Sequence, residues 1–131
     1  MSDRQRVESE VRIDLPEAGV SVIRLIGEHD LSTKSDISDA IGGALDAGRE
    51  VAVDLSEADF IDSSTLHALV AAARRAAESG RGFSLVIGGN EIVRQVFELT
   101  GLDSQFETAP SVDAALAGLR SSGDKERQDQ L

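Results

Sequence analysis

Three hydroxyl residues, Ser63, Ser64 and Thr65, follow Asp62 in the run Asp59-Phe60-Ile61-Asp62-Ser63-Ser64-Thr65-Leu66, and His67 stands four residues after Ser63. Residues four apart share a helix face, so a serine, a histidine and a carboxylate here invite comparison with nucleophilic catalysis. A hydrolase also needs an oxyanion hole and a third group that holds the imidazole. This serine lies in D-S-S-T and not in a G-x-S-x-G elbow. A serine and a histidine on one helix is a common coincidence, and the chain reads as a non-enzyme. Two other accounts of the run stay open. In the plain one, Asp62 or Ser63 is the N-cap of a helix and the other residues fill its first turn. In the other, a hydroxyl at the helix start accepts a phosphoryl group, which the helix dipole and the unpaired N–H groups tolerate. The added charge, about −1.5 to −2, would then act on any partner packed over the loop, not on folding.

The remaining chemistry-bearing residues are few. His29 lies beside Glu28 and Asp30, a weak candidate for metal binding, but no second ligand stands at a diagnostic spacing, and it reads as a solvated loop histidine. Gly88-Gly89-Asn90, between a strand and a helix, sits where an anion could bind but matches neither phosphate-loop pattern; it reads as a turn. The chain has no cysteine, which excludes disulfides and thiolate sites. No cofactor is expected.

The positioning elements follow from periodicity. Val7, Val11, Ile13 and Leu15 alternate with charged residues and predict a strand; Pro16–Gly19 is a turn and Val20–Ile26 a second strand, completing a hairpin. Gly27-Glu28-His29-Asp30 ends that strand, and Ser32, Thr33 and Ser35 offer caps for a helix carrying Ile37, Ala40, Ile41, Ala44 and Leu45. Gly48 stops this helix. Val51–Leu55 reads as a buried central strand, followed by a loop over Ser56–Asp62 and a helix from Ser63 to Glu78. Phe83–Ile87 is a strand, and Ile92, Val93, Val96 and Phe97 mark a short helix ended by Gly101. A short strand near Gln105–Glu107 precedes a last helix with Val112, Ala115, Leu116 and Leu119. The order β-β-α-β-α-β-α-(β)-α predicts a single α/β domain with a mixed, mostly parallel sheet of four to five strands and about four helices. The domain is expected over residues 7–120, with flexible tails at 1–6 and 121–131.

Composition bounds the partners. The 131 residues hold 13 Lys+Arg against 24 Asp+Glu, a net charge of −11, which repels nucleic acid and anionic membrane. Aromatic residues make up 3%, with no Trp or Tyr, so base-stacking platforms are not expected. No apolar run reaches the ~18–20 residues of a membrane-spanning helix, and Met1–Glu10 lacks the apolar stretch of a secretory signal. A cytoplasmic protein is expected.

Four segments resemble landmarks of the STAS domain, specifically of the bacterial anti-sigma factor antagonists. Val22–Asp30 is similar to that family's strand followed by G-E-x-D, and Val51–Ser56 to its central strand ending in D-L-S. Phe60–Ser64 resembles its phosphorylation loop, D-S-[ST]-G-L, and Gly101-Leu102 its late G-L. The resemblance covers roughly Val7 to Leu119. It implies a STAS fold and a switch protein. In its unphosphorylated form such a protein binds an anti-sigma serine kinase and so releases the sigma factor; a PP2C-type phosphatase restores that form. Ser63 is then the phosphorylation site, with Ser64 as second choice. The implied partner surface comprises Glu28, Asp30, Asp59, Asp62, Ser63, Ser64, Thr65 and His67. Thr65 and His67 stand where the family pattern places glycines, which favours an alternative: a non-phosphorylated STAS scaffold or an accessory subunit of a lipid ABC transporter.

Overall fold

The structure, a computed structural model, describes residues 9–129. The expected tail at 1–6, and Val7 of the first strand, lie outside these residues. The first hairpin comprises β1 (Glu10–Glu17) and β2 (Val20–His29), paired antiparallel with Ile13 opposite Ile23. A 3-10 turn, Leu31–Thr33, leads into α1 (Lys34–Asp46), and β3 (Glu50–Asp54) follows. Next come β4 (Ala58–Ile61), α2 (Ser63–Glu78), β5 (Phe83–Val86) and α3 (Glu91–Thr100). After a second 3-10 turn, Leu102–Gln105, the chain ends in β6 (Glu107–Ala109) and α4 (Val112–Asp129).

The strands run in the order β1-β2-β3-β5-β6, and all pairs but the first are parallel. Alternation across each strand sorts the apolar residues between two layers. Ile23, Leu25, Val51, Val53 and Leu85 face α1, α2 and α3, whose stripes supply Ile37, Ile41, Leu66, Leu69, Val93 and Phe97. Val20, Val22, Ala52 and Val86 face α4 through Ala115, Leu116 and Leu119. The central strand is buried along all five residues: its apolar middle, Val51–Val53, as expected, and the charged residues Glu50 and Asp54 at its two ends as well. Asp54, near its end, is tied to Arg24 at 2.7 Å, and Arg24 to Asp14 at 2.6 Å.

The expected fold class and mostly parallel sheet are found, with one more strand than expected. The connection Ser56–Asp62, expected as a loop, contains β4, which pairs with the end of β2. β2 accordingly continues to His29 instead of stopping at Ile26. Two physical features concealed this pair. Along β4 the burial does not alternate, since Ala58 and Ile61 are buried and Asp59 and Phe60 exposed. On β2 the pairing is interrupted by an irregularity between Gly27 and Glu28, where Gly27 adopts φ +86°, a conformation suited to glycine. Farther on, β6 lies two residues beyond the expected strand near Gln105–Glu107. The last helix runs on to Asp129, past the expected boundary at Arg120.

A candidate switch site at the carboxyl edge of the sheet

Asp62 leaves β4 with extended backbone and caps α2. Its carboxylate accepts the Thr65 N–H at 3.0 Å and the Ser64 hydroxyl at 2.7 Å. Its own N–H donates to the His29 carbonyl at 3.1 Å, which locks the start of α2 to the end of β2. Of the two cap candidates, Asp62 is therefore the one used. Burial pushes its carboxyl pKa up, and hydrogen bonds from Thr65 and Ser64 more than offset this, leaving it below its ordinary value.

This cap sorts the three hydroxyls. Ser63 is exposed on the first turn of α2; Ser64 is half-buried and engaged with Asp62. Thr65, expected on the partner surface, is fully buried, because it falls on the core side of the first turn. It cannot touch a partner directly. His67 is exposed one turn after Ser63. Among the described residues no hydrogen bond joins the Ser63 and His67 side chains, and Asp62 holds Ser64 and Thr65 instead of the imidazole.

Glu28, Asp30 and Asp59 are exposed around this helix start. Asp30 caps the 3-10 turn, accepting from the Ser32 N–H at 2.9 Å and the Ser32 hydroxyl at 2.6 Å; these bonds hold its carboxyl below the ordinary value, against the opposing charge of Asp62. Glu28 and Phe60 are opposite one another in the β2–β4 register. Sequence reasoning missed two apolar members of this edge. Leu31 is 70% exposed and Phe60 47% exposed, amid four carboxylates. The only sequence signal was a pair of large apolar residues inside segments read as loops.

His29, expected in solvent, is fully buried between β2 and the 3-10 turn. Nε2 lies 3.0 Å from the Ile26 carbonyl and Nδ1 3.1 Å from the Thr33 hydroxyl. A carbonyl only accepts, so the neutral ring carries its proton on Nε2, and Nδ1 accepts from Thr33. Both nitrogens are thereby committed to the fold. Among the described residues no three His, Asp, Glu or Cys side chains are grouped as a metal would require.

The Gly88-Gly89-Asn90 turn braces the same edge. Asn90 caps α3 through its side-chain oxygen and donates its amide to the carbonyls of Leu55 at 2.9 Å and Ala58 at 2.7 Å. It thus fixes the connection that delivers β4 to Asp62. Gly88 has φ +61°, and a Cβ there would stand 3.2 Å from the Ser56 Cβ.

Residues 5–117 match the family model described as "Mlab, STAS domain". The chain belongs to the STAS-domain family. Its STAS relatives include the anti-sigma-F factor antagonist RsfB of Mycobacterium tuberculosis, 33% identical over 103 residues, which cover 78% of this chain and 83% of the relative. Among solved structures, an anti-sigma factor antagonist from Mycobacterium paratuberculosis superposes with a TM-score of 0.73 at 30% identity, covering 92% of this chain and 99% of that one. An anti-sigma-factor antagonist (STAS) domain protein from Planctomyces limnophilus gives 0.68 at 25% identity, covering 84% and 97%. Among the described residues no helix is long and apolar enough to cross a membrane.

Proposed function

We propose that this STAS protein is an anti-sigma factor antagonist switched by phosphorylation of Ser63. Unphosphorylated, it docks the carboxyl edge of its sheet on a serine-kinase anti-sigma factor in the cytoplasm and so releases the sigma factor. The kinase supplies ATP and Mg²⁺; Ser63 is a substrate and not a catalyst. A PP2C-type phosphatase removes the group. Glu28, Asp30, Asp59, Asp62, Ser63, Ser64 and His67 contribute to the docking face, joined by Leu31 and Phe60. Thr65 supports the helix start from below.

The observation that carries this reading is the division of labour between two adjacent hydroxyls. Ser64 is held by Asp62, while Ser63 is exposed on the first turn of α2, where an enzyme can reach it without disturbing the cap. A phosphate there meets the N-terminal end of the α2 dipole, so the fold tolerates it. It also adds charge beside Asp62, Asp30 and Asp59, so a closed interface does not.

The test is incubation with ATP and the serine-kinase anti-sigma factor of the same organism, followed by peptide mass analysis. A phosphoryl mass gain on the Ser63 peptide, absent in Ser63→Ala and retained in Ser64→Ala, is expected. No gain, or an equal gain in Ser63→Ala, refutes the assignment.

A further inference from the structure

The helix after β5 and the helix after β6 leave opposite faces of the sheet. α3 places Val93 and Phe97 in the core layer shared with α1 and α2, and α4 places Ala115 and Leu116 in the other layer. Where adjacent parallel strands send their chains to opposite faces, their carboxyl ends part and leave a crevice, the usual ligand site of open α/β sheets. Such a crevice is present here, with a volume of ≈ 470 Å³. That falls within the roughly 300–1,000 Å³ of small-molecule pockets.

Its lining has two characters. Ile87, Ala109 and Pro110 form apolar walls over the buried ring of Phe97. Arg94, Glu98 and Asp103 set one guanidinium against two carboxylates. Arg94 has one ion pair among the described residues, an exposed contact to Glu91 at 3.6 Å, and such contacts are weak. Glu98 and Asp103 have none among the described residues. Arg94 and Glu98, four residues apart on α3, project on the same side of the helix.

This charge set discriminates among ligand classes. Two carboxylates on a chain of net charge −11 oppose a polyphosphate. Arg94 opposes a simple cation or a diamine. A zwitterion satisfies both signs at once: a guanidinium grips a carboxylate in a two-pronged geometry, and an ammonium suits two flanking carboxylates. We propose that the β5–β6 crevice binds a small zwitterionic amine of the class of apolar α-amino acids. The carboxylate lies on Arg94, the ammonium between Glu98 and Asp103, and the side chain against Ile87 and Pro110. This site is separate from Ser63, and its occupancy does not depend on the phosphorylation reading.

The probe is L-leucine, titrated into the full chain and followed by the backbone amide NMR signals of Gly88, Asp103 and Thr108. A ligand of about nine heavy atoms sets the expected dissociation constant on the order of 1 mM. Saturable shifts confined to these amides are expected. Arg94→Gln and Asp103→Asn should each weaken binding by about tenfold while leaving the rest of the spectrum unchanged, since both side chains are exposed. 4-Methylpentanoate, which lacks the ammonium, and isopentylamine, which lacks the carboxylate, should bind at least about tenfold more weakly than leucine. No saturable shift with leucine overturns the proposal. So does equal binding of either truncated probe, or leucine binding that neither variant weakens.

Discussion

The Ser64 hydroxyl donates to the Asp62 carboxylate at 2.7 Å, which leaves Ser63 as the exposed hydroxyl at the start of α2. Removing the Ser63 hydroxyl therefore costs the cap nothing, whereas placing a charge there adds it directly beside Asp62. Ser63→Ala should bind the anti-sigma kinase as tightly as the unmodified protein. Ser63→Asp should bind about a hundredfold more weakly, because a charge buried without a partner costs several kcal/mol. Titration calorimetry with the purified kinase measures both. Equal affinities for the two variants would remove Ser63 from the interface.

The carboxyl of Asp62 lies below its ordinary value of 3.8, since the bonds from Thr65 and Ser64 outweigh the effect of burial. A depressed carboxyl pKa contributes stability that is present above the unfolded value and is lost as pH falls through the folded one. Asp62→Asn keeps an acceptor but loses the charge facing the helix dipole. It should cost about 0.5–1 kcal/mol at neutral pH. The gap between the two proteins should begin to narrow as pH falls below 3.8 and close as it falls through the lower folded value, where the wild-type carboxyl is protonated as well. Urea unfolding across that range is the check. A pH-independent gap would mean that the carboxylate charge is not what stabilises the cap.

Much of this site was legible in the sequence because helix starts are written locally. The D-S-S-T run marked the first residue of α2, and the apolar stripe marked its length to Glu78. What stayed hidden depends on pairing between distant segments. β4 shows no period of two, because its one strand partner among the described residues is the irregular end of β2. His29 read as solvated because its burial comes from Ile26 and Thr33 closing around it, not from its charged neighbours Glu28 and Asp30. Thr65 read as a surface residue because sequence alone does not fix which side of a first turn faces the core. Asn90 read as part of a turn; its grip on Leu55 and Ala58 joins residues more than thirty positions away.

Leu31 and Phe60 expose large apolar surface around an acidic rim, an arrangement that suits a partner with both apolar and basic groups. Neither supports the core, so Leu31→Ser and Phe60→Ser should change unfolding stability by less than about 1 kcal/mol. In the proposed complex with the anti-sigma kinase each should weaken affinity by about tenfold or more, as truncation of a central apolar anchor does. Ile92→Ser, on exposed Ile92 of α3, serves as the control and should leave affinity unchanged. Unaltered binding by both Leu31→Ser and Phe60→Ser would place the docking face elsewhere.

Burial lowers the pKa of His29 from 6.5, only partly countered by its bond to the Ile26 carbonyl, the nearby charge of Asp30 and the backbone of Glu10. The unfolded chain therefore takes up this proton first as pH falls. Stability is highest above pH 6.5, declines as pH drops toward the folded value, and levels off below it. Protonation also forces Nδ1 to donate, so the Thr33 hydroxyl must turn from the ring to the Asp30 carbonyl, 3.2 Å away. His29→Gln can still donate to Ile26 and accept from Thr33 but does not titrate. It should cost about 1–2 kcal/mol at pH 7.5 and abolish most of the decline between about pH 7 and 5. Urea unfolding midpoints at several pH values are the check, and a decline that survives His29→Gln would show that another group carries it.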